Sequence, residues 1–153
     1  MGAIQLGHLA VTRAGTDAVR QFAGKMIEDC GKTLSDIANI ASRKGLAVPD
    51  DLDEEHQRLV QQMGEKGAHE FDSAYAVSMV DRYQKASVLY RRGQRIKNPD
   101  ISALASRALI VLEARKQMIN LLFESIAPQD WAVLANSRPD MNDARGATQD
   151  MKM

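Results

Sequence analysis

The apolar residues of this chain recur at intervals of three and four, and they show no sustained period of two. Val19, Phe22, Met26, Cys30, Leu34, Ile37 and Ala41 follow one face of a helix. Phe71, Tyr75, Met79, Tyr83, Ala86 and Tyr90 form a second such stripe. Ile101, Leu104, Ala105, Ala108, Leu112, Arg115, Ile119 and Leu122 form a third, on which Arg115 is the one charge. Each stripe predicts a long amphipathic helix. No stretch alternates β-branched with polar residues, so no strand is predicted.

Chain-breaking residues set the limits of these helices. A first helix of about three turns is predicted over residues 2–14 and is broken by Gly15, after which Thr16 can cap the next by accepting from an early backbone N–H. The second runs to residue 44, where Gly45 offers a left-handed stop, and at 1.5 Å per residue it is about 42 Å long. A short helix over 52–64 follows, with the acidic run from Asp50 to Glu55 near the positive end of its dipole. The next, over 68–97, ends in "RRGQRIK", which reads as solvated charge at the negative end of a helix rather than as an anion site. Asn98 is a good cap for the last helix, and Pro99 suits its first position.

The fold expected is therefore all-α: an up-and-down four-helix bundle over residues 1–127 with a short additional helix, and an irregular C-terminal tail over 128–153. In the tail Trp131 and Leu134 are the large apolar anchors. They predict that the tail packs on the bundle or on a second copy, and that the protein is a homodimer.

Composition narrows the function classes. A chain of 153 residues is one domain by length, and it can bury roughly 68–70% of the surface its unfolded form exposes, so it needs no disulfide or structural metal. Its single cysteine can make no internal bridge. Twenty basic and twenty acidic residues cancel, which argues against nucleic acid or an anionic membrane as partner. No apolar run approaches the ~20 residues of a membrane span. The opening "MGAIQLGHLAV" lacks the basic and continuous apolar regions of a secretion signal, so no signal peptide is expected in the chain as given.

Signatures of chemistry are few. There is no CxxC, HExxH, Gly-rich phosphate loop, GxSxG or ExxH pair. No catalytic residue, cofactor or metal is predicted, and the protein is not expected to be an enzyme. His8, His56 and His69 lie near element starts or on short segments and read as boundary residues. Met26, Met79 and Met118 are at core-compatible spacing, which favours gap-filling over soft-metal binding.

The segments "LGHLAVTRAGTDAVRQFAGKMIEDC", "GLAVPDDLDEEHQRLVQQM", "GAHEFDSAYAVSMVDRYQKASVLY" and "DISALASRALIVLEARKQM" resemble a bacterial ferritin-like family of unknown function, whose members are often labelled outer-membrane or secreted proteins. The resemblance covers residues 3–122. It implies a four-helix bundle with a short extra helix, no established activity, and export to the periplasm or beyond.

The resemblance further implies a carboxylate at the position of Gln5 and histidines at the positions of Cys30, Tyr83 and Arg115. These four positions fall on four helices, so in the family the set could converge on a metal. Here all four are replaced. Asp29 alone is kept nearby. One reading makes Cys30 the filler of a histidine-shaped vacancy in a degenerate pocket of Gln5, Asp29, Cys30, Tyr83 and Arg115. The other makes it an ordinary packing residue, since buried cysteine behaves as a small hydrophobe. On the first reading Arg115 pairs with Asp29, or otherwise with Asp72 or Asp81, and the Tyr83 hydroxyl shares the network. Breaking such a buried pair would cost roughly 3–5 kcal/mol.

The function expected is that of a non-catalytic bundle with a binding or structural role. The alternative is a metal or redox protein using a rearranged site, such as Cys30 with Asp29 and His8.

Overall fold

The computed structural model describes residues 2–48 and 54–126. Among them there are five helices and no strand: α1 (Gly2–Arg13), α2 (Asp17–Arg43), α3 (Glu54–Gly64), α4 (Ala68–Gln94) and α5 (Pro99–Ser125). The protein is all-α, as the apolar spacing predicts. The tail over 128–153, with Trp131 and Leu134, lies outside the described residues, and with it the features that motivated the expected dimer.

Helix ends follow the local chemistry. The Val19 amide donates to the Thr16 hydroxyl at 3.4 Å. Asn98 Oδ1 accepts from the amides of Asp100 and Ile101 at 3.1 and 3.3 Å. Gly45 has φ +67°, the left-handed conformation that a side chain resists. With it there, the Gly45 amide donates to Ser42 O and the Leu46 amide to Ala41 O, the two bonds that close a Schellman turn. The fourth predicted helix stops at Gln94, three residues earlier than the charge pattern indicated.

Four helices close a ring in which α1 touches α2 and α4, and α5 touches α2 and α4. The register along α2 and α5 is written in ion pairs: Asp29 with Arg115, Asp36 with Arg107 and Arg43 with Asp100. Positions seven apart on α2 meet positions seven or eight apart on α5 in descending order. The two helices are thus antiparallel, with the near-heptad spacing of closely aligned bundles. The short connection from α4 to α5 makes that pair antiparallel as well, so α2 and α4 run the same way. They are joined by the crossover that contains α3, and α3 packs against α1 and α4. The helix order is therefore up, down, down, up, where a plain up-and-down bundle alternates.

The core is dense at one end. Leu6, Val19, Phe22, Phe71, Tyr75 and Met79 are all buried there. Tyr75 stacks on Phe71, with centroids 5.9 Å apart, and meets Phe22 edge-on at 6.3 Å. At Gly7, α1 approaches α2 so closely that an added Cβ would lie 2.7 Å from Ile27. A carboxylate fixes the α1–α2 corner from α4. Asp72, 1% exposed, accepts the amides of Gly15 and Thr16 at 2.9 and 2.8 Å, one on each oxygen.

The other end is more open. The 12 residues of α1 span about 18 Å, whereas the 27 residues of α2, α4 and α5 each span about 40 Å. Past the start of α1 the three long helices have no fourth neighbour among the described residues. Their stripes stay apolar, but burial falls away. On α2, Phe22 and Met26 are buried, Cys30 and Leu34 half-buried, and Ile37 36% exposed.

Candidate functional site

Where α1 begins, the stripes of α2, α4 and α5 face a cavity of about 200 Å³. Asp29, Cys30, Tyr83 and Arg115 all line it, with Ala3 of α1 at its edge. An adjoining cleft of about 510 Å³ shares Ala3, Met26, Cys30, Tyr83, Tyr90 and Leu112. Four of the five pocket positions read from the sequence are thus brought together from three helices. Gln5 is not among them. It is exposed on α1 and lines neither cavity, because it lies about 100° around the helix from buried Leu6.

Asp29 and Arg115 pair across the α2–α5 seam, Nε donating to Oδ2. Their side chains are 16% and 22% exposed, so the pair is largely removed from water. Of the acids considered for Arg115, Asp29 is the partner found. Asp72 holds the α1–α2 corner, and Asp81 pairs with Lys85 in the next turn of α4. The Asp29 carboxylate holds the Arg115 guanidinium more firmly protonated than usual. A second guanidinium nitrogen, Nη1, lies 3.1 Å from the Met118 sulfur.

Tyr83 does not join this ion pair. Its hydroxyl donates to Met26 Sδ at 2.6 Å, a buried contact with a weak acceptor. Burial drives its pKa well above the usual phenol range, and those of Tyr75 and Tyr90 upward too. Burial likewise pushes the Cys30 thiol up. A thiol kept protonated is a poor nucleophile and a poor ligand at neutral pH, because both roles need the thiolate.

The donor set does not suit a metal. Arginine is a permanent cation, tyrosine would have to lose a proton that burial holds on, and the remaining carboxylate is engaged by Arg115. Among the described residues no group of three or more His, Cys, Asp and Glu could hold a metal ion. His8, offered with Cys30 and Asp29 as a rearranged site, is exposed on α1 and lines neither cavity. No described helix is long and apolar enough to cross a membrane.

Fold and site together define an all-α bundle with a small cavity whose wall carries the Asp29–Arg115 ion pair. A family described as a domain of unknown function (DUF4142) matches residues 1–122, and the chain belongs to it. No curated protein matches the chain, and no solved structure does.

Proposed function

We propose that this protein is a non-catalytic binding bundle whose pocket is the degenerate form of a ferritin-like metal site. The observation that carries the reading is the Arg115–Asp29 pair, a fixed cation held by the one ligand-type carboxylate on the wall of the cavity. A guanidinium there supplies the positive charge that a metal ion would otherwise bring, and its pairing removes the carboxylate from any competing role. The single long crossover between α2 and α4 supports the ferritin-like part of the reading, since such bundles have one. The apolar surface left half-buried beyond α1 supports the binding role, since contiguous exposed apolar surface marks a place where something docks.

Cobalt(II) titration tests the first part. The unaltered protein should show no ligand-field absorption, whereas Cys30→His, Tyr83→His and Arg115→His together, with Asp29 retained, should bind cobalt and melt at a higher temperature with it. A correctly folded triple variant that shows no cobalt spectrum would refute the degenerate site. Binding is tested separately with an apolar fluorescent dye. Enhancement that Leu34→Glu abolishes supports a binding groove, and no enhancement refutes it.

A further inference from the structure

The seam between α4 and α5 changes character along its length. Where α4 ends and α5 begins, small residues let the helices close: a Cβ added at Gly93 would lie 2.8 Å from that of Ala105, and Gln94 donates to the Ser106 hydroxyl at 3.1 Å. About 15 Å farther along α4 the seam holds Tyr83, Leu112 and Ile119, and helices that meet through large side chains cannot approach as closely. A groove of about 390 Å³ opens there, within the ~300–1,000 Å³ of small-molecule sites. It shares only Tyr83 and Leu112 with the Cys30 cavity and its adjoining cleft, and takes its other lining from other faces of α4 and α5.

This groove is charged at one end and apolar at the other. Arg91 and Glu113 pair across it at 3.5 Å and cancel one another. Their pairing also sets the antiparallel register. Four residues back along α4 stands Ser87 and three residues on along α5 stands Lys116, so these two come to nearly one level on opposite walls. Lys116 is exposed and has no ion-pair partner among the described residues, and Arg91 and Lys116 against Glu113 leave the groove one positive charge. Farther on, Val80, Tyr83 and Ile119 supply an apolar floor, on which Tyr83 is 7% and Ile119 2% exposed. The polar residues beside that floor, Gln84 and Asn120, are uncharged. From Arg91 to Val80 the groove follows α4 for about 16 Å.

We propose that this groove binds an aliphatic carboxylic acid, with Lys116 and the Ser87 hydroxyl donating to the carboxylate and the chain lying over Val80, Tyr83 and Ile119. One cation and one hydroxyl match a monoanion, whereas a phosphate group, with a charge near −2 and three acceptor oxygens, calls for more donors than these walls supply. A site that follows the helices for about 16 Å suits a linear chain. The face of a second copy would bury Lys116 as an uncompensated cation, which disfavours that occupant. The site goes beyond the binding role proposed above and lies apart from the cavity on which that reading rests, so either stands without the other.

Calorimetry of the full-length protein with decanoate, below its micellar concentration, tests the proposal. One equivalent should bind, and each methylene added from hexanoate to decanoate should tighten binding about fourfold, the factor equivalent to ~0.8 kcal/mol per buried CH₂. Lys116→Met, at an exposed position, should weaken decanoate at least about tenfold, and Lys116→Arg should retain most of the affinity. Decanol should bind Lys116→Met and the unaltered protein alike. Leu34→Glu, in the wall of the Cys30 cavity, should leave decanoate binding unchanged, and circular dichroism would confirm that all variants keep their helices. No heat with decanoate, or an affinity that Lys116→Met does not alter, would overturn the proposal. Binding lost in Leu34→Glu would overturn it by assigning the acid to the Cys30 cavity. A mass that doubles with concentration, and a dimer that decanoate fails to dissociate, would overturn it by assigning the face to a second copy.

Discussion

Removing Arg115 is the sharpest test of how this bundle is held together. Exposed ion pairs contribute about 0.2–1 kcal/mol, and breaking a fully buried pair costs about 3–5. With side chains 22% and 16% exposed, Arg115 and Asp29 lie nearer the buried limit. Two features hold the value below it: a single guanidinium nitrogen reaches the carboxylate, and the cavity on one side lets water approach whichever partner is left. One charge-assisted hydrogen bond is worth about 1.5–3 kcal/mol, so Arg115→Ala should destabilise by about 2 kcal/mol, less than the 3–5 that position on the stripe alone implies. For a chain of this length that lowers the melting temperature by about 4–8 °C. The assay is a double-mutant cycle in urea with Arg115→Ala, Asp29→Ala and both. The expected coupling is about 1.5 kcal/mol, and Arg115→Met should recover part of the loss, since its side chain refills the space that Ala empties while Asp29 is left unpaired in both. A coupling below ~0.5 kcal/mol, with the two single effects additive, would refute the reasoning and class the pair with the exposed Arg43–Asp100 and Arg107–Asp36 bridges farther along the seam.

Three further outcomes are expected. Asp72→Ala strands the amides of Gly15 and Thr16 and should cost about 3 kcal/mol by urea denaturation, with Asp72→Asn recovering part of it because one acceptor oxygen remains. Gly45→Ala puts a side chain on a left-handed residue and should cost about 1–2 kcal/mol, chiefly in melting temperature, with helix content unchanged by circular dichroism. Stability should fall at alkaline pH: Cys30, Tyr75, Tyr83 and Tyr90 all hold their protons more tightly folded than unfolded, so their contribution is complete below the ordinary thiol and phenol values and is lost as pH rises past roughly 10. A melting temperature that stays flat from neutral pH to well above that point would contradict it.

The sequence by itself determined what depends on neighbours in the chain. Helix type and extent follow from the three-and-four spacing. The stop at Gly45 and the start at Asn98 follow because a left-handed turn and a cap are made within a few residues. A partner for Arg115 is also expected, since a cation on an apolar stripe requires one; Asp29 comes first among three acids because the family resemblance places it beside the same pocket, and Asp29 is the partner found. The tertiary structure alone decided the rest. It turned Tyr83 to Met26 and away from the ion pair, and it left Gln5 outside the pocket. It assigned Asp72 to a corner 56 and 57 residues away in sequence, which no local pattern encodes. It also ran α2 and α4 in the same direction and ended the cover of α1 halfway along three stripes that continue unchanged. Periodicity reports which face of a helix is apolar, but how much of that face is buried depends on where the neighbouring helices begin, and only packing in three dimensions sets that.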